Sequence, residues 1–153
     1  MRDPRHVAPT LVEAVRALGD DRERGFVFVS ADGTERLFSF HDIAEEAERR
    51  GAHLAARGLR KGDRVALVLP EGEQFVLSFL GALFAGVVPV PIYPQLSFKN
   101  IEGYHDTVAH IVRASGAAML LNFRGNGIIS LIMTSVSDAI RSTILFTLIA
   151  REM

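Results

Sequence analysis

The 153-residue chain has no cysteine and no tryptophan. Without cysteine there is no disulfide, no thiolate nucleophile and no cysteine-bound zinc. An excess of one charge is also missing. Seventeen Lys and Arg against 18 Asp and Glu leave a net charge of -1. That balance gives no electrostatic footprint for nucleic acid or an anionic membrane. No long apolar run exists either. The longest uncharged stretch lies between Glu73 and Lys99, and Pro89, Pro91 and Pro94 break it after Val88. Its apolar part, Phe75 to Val88, is about 14 residues, which suits a buried helix, whereas a membrane span needs about 20. The charged start, Met1-Arg2-Asp3-Pro4-Arg5-His6, leads into no apolar signal region. A soluble, cytoplasmic protein is expected, without a membrane span or a nucleic-acid partner.

Several catalytic signatures are absent. There is no Gly-x4-Gly-Lys-Ser/Thr loop, no His-Glu-x-x-His and no Gly-x-Ser-x-Gly. Gly125-Asn126-Gly127-Ile128-Ile129-Ser130 lacks the third glycine of a dinucleotide fingerprint and reads as a turn. Of five histidines, His105 and His110 are the nearest pair. On a helix, five positions separate them by about 140°, which is unsuited to a shared metal. Asp42, Glu45, Glu46 and Glu48 read as a solvated helix face near a positive N-terminus.

What is present is globular: 48% hydrophobic and 23% charged residues. The length fits one domain, burying roughly 68–70% of its unfolded surface. Thr10 with Glu13 forms a capping box ahead of Leu11, Val15 and Leu18, and Gly19 ends that helix. Phe26–Val29 and Arg36–Phe40 flank Asp32-Gly33, a hairpin signal. Ser39, with Asp42 three residues on, caps the next helix, whose apolar stripe is Ile43, Ala47, Gly51 and Leu54. Gly58-Leu59 reads as its left-handed C-cap, and Lys61-Gly62-Asp63 as a turn.

Arg64–Pro70 is a nearly continuous apolar run, the pattern of a strand buried on both faces. Glu71–Phe84 is a helix apolar on most sides, ended by Gly86. Val87–Pro94 is extended, and its prolines make it an edge strand or one that leaves the sheet early. Tyr93 is placed there either to line a ligand crevice or to sit as an aromatic at the core edge. Ser97 or Asn100 caps a further helix with Ile101, Tyr104, Val108, Ile111 and Val112 on its core face. Ser115-Gly116 ends it, and Ala117–Leu121 is another buried strand. The fold class is therefore α/β: a β-hairpin, then a β-α-β-α-β parallel sheet with flanking helices.

The composition changes after Leu121. Residues 122–153 hold six of the ten Ile, two of the eighteen Ala, and five charges in 32 positions against 30 in the preceding 121. Two windows, Ile128–Met133 and Ile144–Ile149, are apolar, β-favouring and uncharged. The tail either completes the sheet as a strand-helix pair or marks an interruption of the natural frame or domain. Residues 1–121 are accordingly one unit and 122–153 a divergent tail.

Four segments, in order, resemble adenylate-forming enzymes. Leu37-Phe38-Ser39-Phe40-His41-Asp42-Ile43 resembles the family's Leu-Thr-Tyr-x-Glu-Leu segment. Gly58-Leu59-Arg60-Lys61-Gly62-Asp63-Arg64-Val65-Ala66-Leu67-Val68-Leu69-Pro70 resembles its Gly-Leu-x-x-Gly-Asp-Arg-Val-Ala strand. Phe79–Pro91 resembles its Ala-x-x-x-Ala-Gly-x-x-x-Val-Pro unit, and Tyr104–Leu121 the helix and strand that follow. Tyr93-Pro94 and Phe98–His110 lean towards fatty acyl-AMP ligases and long-chain acyl-CoA synthetases. The resemblance runs from about Thr10 to Leu121.

The resemblance implies the N-terminal part of that family's N-domain, with an incomplete sheet. It implies a full-length enzyme that uses ATP and Mg²⁺ to turn a fatty acid into acyl-AMP and pyrophosphate. The acyl group then passes to the pantetheine thiol of coenzyme A or an acyl carrier protein. The family's phosphate loop, metal-binding carboxylate, ribose-gripping acid and catalytic lysine have no counterpart here. No catalytic, cofactor-binding or metal-binding residue carries over. Ile92, Tyr93 and Pro94 alone fall near the implied acyl tunnel. The expectation is an N-terminal fragment inactive by itself. The alternative is a small non-catalytic module that binds a ligand or completes its sheet with another chain. An exposed sheet edge would then support self-association.

Overall fold

The computed structural model describes residues 8–30, 32–94, 101–124 and 127–132. Helix α1 spans Leu11–Ala17. Thr10 Oγ1 accepts from the Glu13 N–H at 3.2 Å, the forward half of the expected box. The helix ends on Leu18 in the right-handed region. Gly19 is thus no left-handed cap. It is instead a close-packed turn residue whose carbonyl lies 2.7 Å from His41 Nδ1.

Strands β1 (Gly25–Val29) and β2 (Glu35–Ser39) pair antiparallel, with Val27 opposite Leu37. Ser30 and Thr34 close the turn through a 2.9 Å bond, and Asp32 Oδ1 accepts from the Thr34 N–H at 2.9 Å. Helix α2 (Phe40–Ala56) starts at once, because Ser39 and Asp42 make the full capping box. Ser39 Oγ accepts from the Asp42 N–H, and Asp42 Oδ2 accepts from the Ser39 N–H and hydroxyl. Those bonds hold the Asp42 carboxyl below its ordinary value of 3.8, the hydroxyl contributing most. Ile43, Ala47, Gly51 and Leu54 are all buried, as the stripe requires. Gly58 takes φ +93°, and the N–H groups of Gly58 and Leu59 reach back to the Ala55 and Leu54 carbonyls. This is a Schellman closure, with Leu59 buried as its hydrophobic partner.

The main sheet holds β3 (Arg64–Val68), β4 (Val88–Pro91), β5 (Met119–Arg124) and β6 (Gly127–Ile132) in the order β4-β3-β5-β6. β3 is central, parallel to β4 and β5, and its residues Val65 to Val68 are buried. β4 is an edge. The N–H groups of Val88 and Ile92 donate to the carbonyls of Asp63, just ahead of β3, and Leu67 on β3. By strand alternation Pro89 and Pro91 face outward, where no donor is needed.

β6 pairs antiparallel with β5, so the sheet is mixed rather than purely parallel. The start of the tail is therefore a strand. Gly125 and Asn126 of the Gly-Asn-Gly turn lie outside the described residues, as do the two cap candidates Ser97 and Asn100 and the window Ile144–Ile149.

Helices α3 (Gly72–Phe84) and α4 (Ile101–Ser115) cover opposite faces of this sheet. Val65, Leu67, Leu69, Met119 and Leu121 pack with Ala82 and Phe79 of α3. Ala66, Val68 and Leu120 pack with Val108 and Val112 of α4. A third cluster joins Val15 of α1, Ile43 and Ala47 of α2, and Leu77 and Leu80 of α3. The layers thus run from the hairpin and α1, through α2 and α3, to the sheet and finally α4. No helix among the described residues is long and apolar enough to cross a membrane.

Candidate functional site

The loop after β3 leads to α3 on one face, and the loop after neighbouring β4 leads to α4 on the other. In open α/β sheets, ligands bind beyond the carboxyl ends of the strands. Leu69-Pro70-Glu71 and Ile92-Tyr93-Pro94 are the segments that leave the sheet there.

The three sequence-derived residues take different environments. Ile92 is 5% exposed and belongs to the α4-side core. Its N–H donates to the Leu67 carbonyl at 2.9 Å, carrying the ladder one residue beyond β4. Tyr93 is 75% exposed, so its ring lies outside the core rather than at its edge. Its carbonyl accepts from the Tyr104 hydroxyl at 3.1 Å, which ties the departing loop to α4. Pro94 is half-buried.

The other candidates disperse. His105 is buried and His110 is exposed on α4. His41 Nδ1 faces a carbonyl, so that nitrogen carries the proton. Among the described residues no group of three or more His, Asp or Glu could hold a metal ion.

The α2 carboxylates are not a uniformly solvated face. Glu46, with a side chain 19% exposed, is clamped by Arg49 and Arg50. Arg49 Nε and Nη2 donate to its two oxygens at 2.7 Å, and Arg50 Nε donates at 2.6 Å. Partial burial raises the Glu46 pKa, yet the two guanidinium groups outweigh it and hold it below 4.5. Arg50 continues into α3, donating to Ser78 Oγ at 2.7 Å and Gln74 Oε1 at 2.8 Å. Glu46, Arg50, Gln74 and Ser78 thus lock two helices together, and no buried side-chain polar atom is left unpaired among the described residues.

Sequence reasoning missed a cavity of about 330 Å³. Val15, Ile43 and Leu80 form its floor, Phe26 and Phe40 one wall, and Phe75, Val76 and Phe79 of α3 the other. Leu11 stands at the mouth. The signal was present in the sequence, since seven of the ten Phe fall between 26 and 84.

A family model described as AMP-binding enzyme matches residues 16–145. The chain belongs to the AMP-binding enzyme family. The family match runs past Leu121 into the compositionally distinct tail. A long-chain-fatty-acid–CoA ligase of Bacillus subtilis is 44% identical over 67 residues, 44% of this chain and 12% of that protein. A crotonobetaine/carnitine–CoA ligase of Proteus mirabilis is 34% identical over 80 residues, 52% of this chain and 15% of that protein. The crystal structure of a fatty acid AMP ligase from Legionella pneumophila superposes with a TM-score of 0.64 and 29% identity. That superposition covers 72% of this chain and 19% of the ligase. The small antiparallel sheet and the helix-flanked parallel strands match the N-terminal domain of adenylate-forming enzymes. The chain spans about a fifth or less of the length of these relatives.

Proposed function

We propose that this chain builds the N-terminal scaffold of an ATP-dependent ligase that activates a fatty acid as acyl-AMP and passes it to a pantetheine thiol. The supporting observation is the 44% identity to a long-chain-fatty-acid–CoA ligase, in a fold shared with a fatty acid AMP ligase. The acceptor would be coenzyme A or an acyl carrier protein, and the working compartment the cytoplasm.

The residues present do not fit ATP and Mg²⁺: the sequence has no Ser/Thr/Gly-rich phosphate loop with a Lys, and no carboxylate cluster among the described residues could grip a metal. No step of the reaction is therefore assigned to it. Its contribution is to position the carboxyl ends of β3 and β4, beyond which Ile92, Tyr93 and Pro94 would flank the acyl chain. Residues 1–121 form the scaffold in this reading and 122–153 its divergent continuation. Alone, the chain is inactive.

A chimera tests the scaffold role. This chain's residues 10–121 would replace the matching segment of the B. subtilis relative. Acyl-CoA formation by the chimera is the expected result, and a folded but inactive chimera would overturn the reading. Release of pyrophosphate from ATP and a fatty acid by the chain alone would overturn the claim of inactivity.

A second reading, an interaction module, draws on the hairpin. Val27, Val29 and Leu37 are more than half exposed on one face of a two-stranded sheet. Such a sheet is marginal alone and is stabilised when that face is covered. Self-association there would raise the mass seen by light scattering. A monodisperse monomer would remove this reading.

A further inference from the structure

We propose that the cavity between α1, β1, α2 and α3 is a binding site for an uncharged alkyl chain, separate from the carboxyl ends of β3 and β4. Its volume of about 330 Å³ falls within the usual range of small-molecule pockets. At the packing density of protein interiors it accommodates on the order of ten methylene groups.

The floor is fixed. Ile43, Leu80 and Val15 are 1%, 5% and 8% exposed and belong to one core cluster with Leu77. Two walls are aromatic. The Phe26 and Phe40 rings meet edge to face at 5.7 Å, and Phe75 and Phe79 lie 6.0 Å apart. The mouth is open, since Leu11 and Phe26 are 52% and 42% exposed.

Every lining side chain is apolar. Water reaching it would find none of the two to four polar partners it needs in the lining, so an apolar guest displaces that water readily. A carboxylate carried into the cavity would lose hydration with no donor to replace it. The chemistry therefore selects an uncharged chain. α4 and the Ile92-Tyr93-Pro94 segment contribute nothing to this cavity. The inference accordingly stands or falls independently of the proposed ligase role.

The test is thermal unfolding of the full chain with 1-decanol or with decanoate. Decanol at ten times its dissociation constant should raise the midpoint by about 4 °C. Decanoate should raise it less. Two substitutions occupy the space: Val76→Trp inside the cavity and Leu11→Trp at its mouth. Both should unfold cooperatively and lose the decanol shift. If Val76→Trp does not unfold cooperatively, Leu11→Trp on the exposed rim decides alone. The proposal is overturned by no shift in the parent chain, by a shift retained in a folded Trp variant, or by decanoate matching decanol.

Discussion

Gly81 of α3 and Arg50 of α2 meet so closely that a methyl group on Gly81 would stand 2.6 Å from Arg50 Cβ. At the next residue of α2, a methyl on Gly51 would lie 3.0 Å from the Gly81 carbonyl oxygen. The two helices therefore touch backbone to backbone. That approach brings the Arg50 guanidinium within reach of Ser78 and Gln74. The close approach and the polar lock are two parts of one contact.

Gly81→Ala should separate the helices. Overpacking of this kind costs about 1–3 kcal/mol, visible as a lower urea midpoint with an unchanged slope. Gly72→Ala is the control. It lies on the same helix, and an added Cβ there meets nothing within 4 Å. That change should be neutral or stabilising by about 0.4–1 kcal/mol. Equal losses from both variants would refute the contact-specific account.

The lock itself can be opened from either side. Ser78→Ala removes the hydroxyl that accepts from Arg50 Nη1 and leaves a charged donor in a pocket where Arg50 is only 15% exposed. An unmet buried donor costs about 1–3 kcal/mol. In an Arg50→Met background the guanidinium is absent, so Ser78→Ala should cost much less. Additive losses in that double-mutant cycle would show that Arg50 and Ser78 do not couple.

Acid should destabilise the protein in part through Asp42 and Glu46. Both carboxyls are held below their ordinary values of 3.8 and 4.5. A depressed folded pKa contributes stability that is complete above the unfolded pKa and disappears as pH falls through the folded one. The melting temperature should therefore hold at about pH 6 and fall as pH drops below the ordinary carboxylate range. Asp42→Asn and Glu46→Gln should each flatten that acid limb. Solvent screening limits both effects, and more strongly for Asp42, which is the more exposed of the two. An acid limb as steep in both variants as in the parent would contradict this assignment.

Much of this fold was legible because its determinants are local. The Ser39–Asp42 box, the stripe Ile43-Ala47-Gly51-Leu54 and the Gly58-Leu59 closure each fall within one helical segment. The continuous run at Arg64–Pro70 marked the central strand for the same reason. Features built across elements stayed hidden. Arg50 meets Gln74 and Ser78 across 24 and 28 residues, so Glu46 read as solvated when it is clamped. The cavity draws its lining from four elements far apart in sequence, and each Phe by itself looks like ordinary core. At the carboxyl end of β4, the prolines marked where the strand leaves the sheet. They did not show that Ile92 would turn inward and Tyr93 outward, because that depends on how the loop is tied to α4 through Tyr104.

Pro89 and Pro91 have a further consequence at the edge of the sheet. An edge strand offers a row of unpaired N–H groups to any other strand. Here the inward N–H groups of β4 are used on β3, and the outward positions are proline. The β4 edge therefore presents no amide donors at those two positions. Association through this edge, which the sequence alone allowed, is opposed by the residues that occupy it. Restoring the donors with Pro89→Val and Pro91→Val together keeps the apolar, β-favouring character and leaves the β3 ladder intact. The double variant should fold with near-parental stability yet aggregate faster at equal concentration, as read by light scattering over time. Adding Lys in place of exposed Val88 should slow that aggregation again, since a charge on an edge strand opposes pairing. If the double variant stays as monodisperse as the parent, the prolines do not guard this edge.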